Sequence, residues 1–322
     1  MSHYRYRKND KVLITDDVDP LLITGLTRLG YQCDYQPDIT LENAKEIVGA
    51  YNGIVINTKI KAYKDFLESG KNLQFIARLG SGLDIIDLEV AHGLGIYVLS
   101  APEGNCNAVA EHALGMLLSL LNRLHQADRE VKAFLWHRER NRGTELDGKS
   151  VGIIGFGHTG RAFAQKLNGF NVDLLVHDPF INLTSLLTEI QHEATLDQIQ
   201  AKCQIISLHV SLNPTSRHLI DHKFLQACQQ RPILINTSRG AVVKTADLVM
   251  ALGEKVISGA CLDVFENEKP ETFSPDEKII YSQLYQYDNV VLSPHVAGWT
   301  VESKRKIAEV LLKKIEGLEA EK

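Results

Sequence analysis

Three residues in the second half of the chain carry side chains suited to one piece of chemistry: Arg239 in LINTSRG, Glu268 in LDVFENE and His295 in LSPHVAG. Each follows an apolar, β-prone run, and ligands bind open parallel sheets at the carboxyl ends of their strands. An arginine placed there offers a planar fork that matches a carboxylate on two donors. A histidine with a carboxylate partner is poised near neutrality to give or take a proton. Singly, each has a plain reading as a surface ion pair, a solvated loop acid or a structural histidine. The joint placement points to acid–base work on an anionic substrate. The same acidic loop holds Glu266 and Glu271 as alternative partners for His295.

A second signature lies at residues 151–160, VGIIGFGHTG. Val151, Ile153 and Ile154 form a short apolar strand, and Gly155, Gly157 and Gly160 supply the G-x-G-x-x-G spacing. The next segment, RAFAQKLNGF, has helical periodicity, with Phe163 and Leu167 on one face. Strand, glycine turn and helix are the context this fingerprint requires. Gly155 permits the turn, Gly157 lets backbone approach a pyrophosphate, and Gly160 lets helix pack on strand. The phosphates belong at the helix N-terminus, where free N–H groups and the helix dipole favour anions. A second strand, VDLLVHD, ends at Asp178, 18 residues beyond Gly160. A carboxylate there accepts from both ribose hydroxyls and repels a 2′-phosphate, and no arginine follows in HDPF. This predicts NAD rather than NADP as cofactor.

The glycine turn sits near the middle of 322 residues, so the preceding half needs its own account. There KVLITDDV, YQCDYQ, GIVINT, LQFIARLG and GIYVLSA read as strands separated by helical patterns. That alternation predicts a parallel sheet with helices on its faces. A long apolar helix, NCNAVAEHALGMLLSLLNRL, follows, with Val109, Ala113, Leu114, Leu117, Leu121 and Leu124 along one side. It is too apolar to be solvated and is expected to pack between domains or subunits. Within it, Glu111 and His112 read as a buried, satisfied pair at the helix packing site. After the glycine turn, QIISLHV, PILINTS, VISGACLDVF and NVVLSPHV continue the strands, and an amphipathic helix, VESKRKIAEVLLKKIEGL, ends the chain. The stretch 269–288 reads as a loop.

Composition narrows the function classes. The length suggests about two domains. Apolar residues make up 44% and charged residues 23%, as in ordinary globular chains. The net charge is −5 with no basic cluster, which argues against a nucleic-acid partner. Five cysteines are never closer than 25 residues, which is neither a disulfide framework nor a zinc pattern, and fits a reducing cytoplasm. MSHYRYRKND lacks the apolar core of a signal peptide, and no apolar run reaches the ~20 residues of a membrane span. His218 and His222 are spaced i, i+4 but lack a third ligand, so no metal site is expected.

RLGSGLDIID, NAVAEHALGMLL, GTELDGKSVGIIGFGHTG, the HDP around Asp178, LINTSRGAVV, LDVFENE and SPHVAG occur in the order found in one family. Over nearly its whole length the chain resembles the D-isomer-specific 2-hydroxyacid dehydrogenases, which include 3-phosphoglycerate dehydrogenase. The resemblance implies an α/β fold of two doubly wound parallel-sheet domains. A Rossmann NAD domain, 105–297, would be inserted into a flavodoxin-like substrate domain formed by 1–104 and 298–322. It implies NAD-dependent interconversion of a small D-2-hydroxy acid and its 2-keto acid. Arg239 would bind the substrate carboxylate, His295 would move the hydroxyl proton and Glu268 would hold His295. Asp263 would contact the nicotinamide carboxamide, and His158, Thr159, Val210, Thr237 and Gly298 would line the cofactor. Ser81 and Gly82, beside Arg78, would present N–H groups to the substrate carboxylate. Lys59, Lys61 and Arg78 could hold a phosphate on that substrate. A cytoplasmic homodimer is also implied.

The chain departs from the family pattern at Ile85, where many relatives carry Asn, at Thr159, where an aliphatic residue is usual, and at Ser211, where proline is usual. None removes a catalytic group. The specific activity the resemblance suggests is that of 3-phosphoglycerate dehydrogenase, with hydroxypyruvate or glyoxylate reduction as an alternative. A different class, an NAD-sensing binding protein of the C-terminal-binding corepressor type, would keep the same Arg, Glu and His.

Overall fold

The computed structural model describes residues 9–188 and 190–320. Residues 1–8 of the stretch read above for a signal peptide lie outside the described residues, as do the last two of the chain. The chain divides into two compact units, residues 1–106 with 298–322, and residues 107–297.

The first unit opens with β1 (Lys11–Ile14), α1 (Pro20–Arg28), β2 (Gln32–Tyr35) and α2 (Leu41–Ile47). It continues with β3 (Gly53–Ile56), α3 (Lys64–Ser69), β4 (Phe75–Arg78), α4 (Leu88–Gly93) and β5 (Tyr97–Ser100). The sheet order is β2-β1-β3-β4-β5, all parallel, which is the flavodoxin-like winding. Val12, Leu13, Ile14, Ile54, Val55 and Ile56 are fully buried, as expected of parallel strands covered on both faces. Asp19 starts α1 by accepting from the Leu21 amide, with Pro20 in the first turn, and Thr40 and Asp87 cap α2 and α4 in the same way.

The boundary between units falls inside α5 (Pro102–Leu121), which is followed by α6 (Leu124–Lys132). The second unit then alternates β6 (Ser150–Ile154), α7 (His158–Leu167), β7 (Asp173–His177), β8 (Gln191–Glu193), α8 (Leu196–Lys202) and β9 (Ile205–Leu208). It ends with α9 (His222–Gln226), β10 (Ile233–Asn236), α10 (Thr245–Gly253), β11 (Gly259–Leu262), α11 (Pro275–Leu284) and β12 (Val290–Leu292). The parallel order is β12-β11-β10-β9-β6-β7-β8. It reverses direction between β6 and β9, the switch point at which doubly wound sheets bind dinucleotides. The remaining helix, α12 (Val301–Ala320), belongs to the first unit, where Ala308, Leu311, Ile315 and Leu318 are buried in a cluster with Leu22 and Leu26 of α1.

Three sequence expectations need correction. Leu124 does not extend the apolar side of α5: Arg123 adopts φ 53, the helix breaks there, and Leu124 is exposed at the start of α6. Ala113, Leu117 and Leu121 of α5 join Val151, Ile153 and Phe163 in a core cluster of the second unit, so this face packs on its own unit's sheet. The stretch 269–288 is not a loop. Ser274 and Glu277 form a reciprocal capping box that starts α11, with Pro275 at its first position. The signal, SPDE before an apolar pair, was present in the sequence.

Candidate active site

His295 and Glu268 meet. The imidazole Nδ1 lies 2.9 Å from Glu268 Oε2, and Glu268 Oε1 accepts from the Phe265 amide at 3.3 Å. Partial burial alone would raise the Glu268 carboxyl. The hydrogen bond and charge of His295, the Phe265 amide and the nearby Arg239 outweigh it and hold the group below the ordinary carboxylate range. The alternative partners are placed elsewhere. Glu266 pairs with His218 at 2.7 Å and accepts from the Thr245 amide at 2.6 Å, while Glu271 is exposed in a short helical turn after Lys269.

The loop that carries Glu268 is braced from α11. Tyr281 accepts from the Asn267 amide at 3.1 Å, Asn267 Nδ2 donates to Glu277 at 3.2 Å, and Phe273 stacks on Tyr281 with ring centroids 4.5 Å apart. Across from it stands Arg239, just past β10. Asn236 Nδ2 donates to the Arg239 carbonyl at 3.0 Å, and the Arg239 guanidinium donates to the Ser238 carbonyl at 2.7 Å. Gly240 explains how the two loops come together. A Cβ there would lie 1.9 Å from the Phe265 carbonyl carbon and oxygen, so only glycine lets the Arg239 turn rest on the Glu268 loop.

His295 itself adopts φ 57, a left-handed conformation that costs a non-glycine residue about 1–2 kcal/mol. Asp263, at the end of β11 and 1% exposed, holds it there. Its carbonyl accepts from the His295 amide at 2.7 Å, Oδ1 from Val296 at 2.9 Å and Oδ2 from Ala297 at 2.9 Å. Oδ1 also takes the Ser293 hydroxyl at 2.6 Å, and Ser293 Oγ lies 2.8 Å from His112 Nε2. The expected buried Glu111–His112 pair is therefore not formed. Glu111 is exposed and accepts from Asn107 and Lys166, while His112 faces Ser293. Consecutive helix residues point in different directions, which is why the two are not buried together although both are hydrogen-bonded.

The glycine turn carries its three functions separately. Gly155 has φ 92, and a Cβ there would lie 2.6 Å from the His209 carbonyl oxygen and 2.9 Å from Val210 Cγ1. A Cβ on Gly160 would lie 2.1 Å from the Gly155 oxygen, whereas one on Gly157 would meet nothing within 4 Å. The open face is thus at Gly157, the N-cap of α7, with His158 and Thr159 in the first turn. Asp178 follows β7 with Oδ2 accepting from Phe156 and Oδ1 from Phe180, at 2.8 and 2.9 Å. The Thr237 hydroxyl, past β10, is buried without a hydrogen-bond partner among the described residues. An open helix N-terminus, a strand-end carboxylate and an orphaned hydroxyl suit a dinucleotide. The sequence reading missed His209, which follows β9. Its imidazole is buried against Phe163, ring centroids 5.2 Å apart, and burial pulls its pKa down to about 3.

In the first unit, Arg78 ends β4 and donates to the Leu79 carbonyl at 2.7 Å, and Ser81 and Gly82 lie in the bend that follows. Ser81 Oγ donates to Asn105 at 2.7 Å, and a Cβ on Gly298 would lie 2.9 Å from Asn105 Nδ2, so these segments converge. Lys59 donates to the Pro37 carbonyl. His222 pairs with Glu254 at 3.4 Å rather than with His218.

The doubly wound sheet, the glycine turn at its switch point and the Glu–His dyad beside an arginine define a dinucleotide-binding protein equipped for proton transfer. Residues 114–297 match the model of the D-isomer specific 2-hydroxyacid dehydrogenase NAD binding domain. A hydroxypyruvate reductase of Thermotoga maritima is 33% identical over 319 residues, covering 98% of both chains. A D-3-phosphoglycerate dehydrogenase of Archaeoglobus fulgidus is 30% identical over 305 residues, 95% of this chain, which spans 56% of that relative's length. A D-lactate dehydrogenase of Aquifex aeolicus, solved with NAD and lactic acid, superposes with a TM-score of 0.82 at 26% identity, covering 97% of this chain and 96% of that one. The chain belongs to the NAD-dependent D-isomer-specific 2-hydroxyacid dehydrogenase family.

Proposed function

We propose that this protein interconverts a small D-2-hydroxy acid and its 2-keto acid, with the first unit as substrate domain and the second as NAD domain. The observation that carries the reading is the 2.9 Å His295–Glu268 contact with Arg239 close enough to bias Glu268. Bound nicotinamide supplies or takes the hydride. Arg239 binds the substrate carboxylate and polarises the carbonyl. Because His295 Nδ1 faces Glu268, Nε2 is the atom that gives the proton to the carbonyl oxygen or takes it from the hydroxyl. Gly155, Gly157, His158, Thr159, Gly160, Asp178, Val210, Thr237, Asp263 and Gly298 are the residues assigned to NAD. Arg78, Ser81 and Gly82 are assigned to the substrate.

Among substrates, a small unphosphorylated acid such as hydroxypyruvate or glyoxylate has the better support. The Lys59 ammonium, a candidate phosphate ligand, is engaged by the Pro37 carbonyl, and the relative matched along 98% of its length is a hydroxypyruvate reductase. Phosphohydroxypyruvate is the second reading, favoured by the D-3-phosphoglycerate dehydrogenase relatives. NADH oxidation measured with glyoxylate, hydroxypyruvate, pyruvate and phosphohydroxypyruvate decides: no turnover with any of them refutes the enzyme and favours an NAD-sensing binding protein.

The assembly we propose is a homodimer. Phe134 is 99% and Trp136 76% exposed on the segment after α6, two aromatic side chains available to a second copy. Light scattering that returns a monomer refutes it. Free thiols at all five cysteines suit the cytoplasm. No helix among the described residues is long and apolar enough to cross a membrane.

A further inference from the structure

We propose that His112 and Ser293 are positioning residues that act through Asp263 to hold His295 in its strained conformation. This rests on the reading of His295 as the acid–base group. Left-handed backbone at a non-glycine residue persists only where its surroundings over-determine it. Here the amides of three successive residues, 295, 296 and 297, converge on Asp263, at 2.7, 2.9 and 2.9 Å. Asp263 is therefore the clamp: its carbonyl holds the His295 amide and its carboxylate holds the next two amides, so what fixes the carboxylate fixes the segment directly after the imidazole.

The carboxylate is buried, 1% exposed. Ser293 Oγ donates to the same carboxylate, 2.6 Å from Oδ1. Ser293 has one hydroxyl hydrogen, and the short contact to the carboxylate oxygen takes it. Toward His112 Nε2, 2.8 Å away, Ser293 Oγ can then only accept. A hydrogen on His112 Nε2 completes the relay His112 Nε2–H to Ser293 Oγ–H to Asp263 Oδ1. His112 Nε2 also stands 3.6 Å from Oδ1, so it is aimed at the same oxygen. His112 comes from α5, the helix whose buried face joins the core of this unit. The relay thus ties the His295 loop to a rigid element. Without the His112 donor the Ser293 hydroxyl is free to rotate, the Asp263 carboxylate loses its fixed donor, and its hold on the amides of 296 and 297, directly after the imidazole, relaxes.

The test compares His112→Phe and Ser293→Ala, which remove a donor, with His112→Gln and Ser293→Thr, which retain one. At saturating NADH, the first pair should lower kcat of keto-acid reduction on the order of 10- to 100-fold, the scale of a misplacement of about an ångström. The alkaline limb of the pH profile should move to lower pH, because His295 sits less well on Glu268. The dissociation constant of NADH, read by fluorescence titration, should stay within about threefold, and the donor-retaining variants should recover most of kcat. An unchanged kcat and pH profile in His112→Phe overturns the proposal. So does weakened NADH binding with the pH profile unmoved, which would make the relay a cofactor device. If His112→Phe does not fold, the Ser293→Ala and Ser293→Thr comparison decides alone. His295→Ala is measured in parallel: if it retains activity, the acid–base reading itself has failed, whatever His112 does.

Discussion

Glu268 reaches His295 with one carboxylate oxygen and the Phe265 amide with the other, at 2.9 and 3.3 Å. The second bond matters as much as the first. A glutamate tied only to the imidazole could swing with it, whereas one anchored to its own loop gives the ring a fixed partner. That loop is in turn seated on the Gly240 turn, so Arg239 and Glu268 share one rigid support.

Replacing Glu268 with Gln keeps shape and a hydrogen-bonding group but removes the charge. The His295 hydrogen bond and charge, the Phe265 amide and Arg239 outweigh burial and hold the Glu268 carboxyl below its ordinary range. Reduction needs the protonated form of the dyad, and losing the carboxylate weakens that form. Glu268→Gln should therefore move the alkaline limb of keto-acid reduction to lower pH while leaving NADH affinity nearly unchanged. His295→Ala should cost more, ~10²–10⁴-fold in kcat, as for loss of a general acid. A pH profile that stays in place in Glu268→Gln would remove Glu268 from the proton-transfer step.

Two glycines of the cofactor turn should separate folding from binding. A methyl at Gly160 would collide with the Gly155 carbonyl at 2.1 Å, whereas a methyl at Gly157 meets no atom within 4 Å. Gly160→Ala should lower stability by about 1–3 kcal/mol, the cost of overpacking. Gly157→Ala should melt like the parent protein yet bind NADH at least ~10-fold more weakly, because the methyl occupies the approach of the pyrophosphate. Thermal denaturation and NADH titration on both variants check the pair. Equal NADH affinity in Gly157→Ala would place the phosphates elsewhere.

Asp247 offers a stability test away from the site. It is nearly buried, which by itself would raise its carboxyl, but the His222 amide at 2.8 Å and Lys244 at 3.1 Å hold it below the ordinary carboxylate range. A depressed carboxyl contributes stability above its unfolded value, near 4, that is lost as pH falls through the folded value. Asp247→Asn should cost about 1–2 kcal/mol at pH 7 and progressively less below pH ~4. Urea midpoints that differ equally at both pH values would contradict this.

Periodicity and turn chemistry made much of this legible from the residues. Continuous apolar runs such as KVLI and GIVI can only be buried parallel strands once helices separate them, and both sheets follow. The capping box at Ser274 is equally readable, although KPETFSPDEK looks like a polar linker until the Ser-x-x-Glu spacing is weighed. Other features were out of reach. Nothing local in EHALG says that His112 faces a serine 181 residues away, or that Glu111 turns outward to Lys166. Those outcomes are set by how α5 is rotated on the sheet, a tertiary choice with no local sequence signature. The same holds for choosing Glu268 over Glu266. The neighbours lie two residues apart on one loop, and what separates them is that Glu266 is taken by His218 and the start of α10.

His209 should make the protein acid-labile in a defined window. Its ring lies buried between Phe163 and the Ser207 hydroxyl, 2.8 Å from Nε2, and burial drives its pKa to about 3. In the unfolded chain the same imidazole titrates near 6.5. Between those values the unfolded state binds more protons than the folded one, so stability rises with pH across the window and is complete above it. The loss at pH 5 depends only on the unfolded value, because the folded ring is still neutral there, and amounts to about 2 kcal/mol. His209→Gln can keep a hydrogen bond to Ser207 without a group that charges. It should show a flatter dependence of the urea midpoint between pH 7 and pH 5, by about that amount. The effect should also reach the cofactor, since the His209 carbonyl lies directly against Gly155. Lowering pH from 7 to 5 should destabilise the NADH-free parent, and saturating NADH at 100 times its dissociation constant should restore about 2.7 kcal/mol. A parent and variant with parallel urea midpoints across that range would show that His209 is not the group whose burial sets the acid limit.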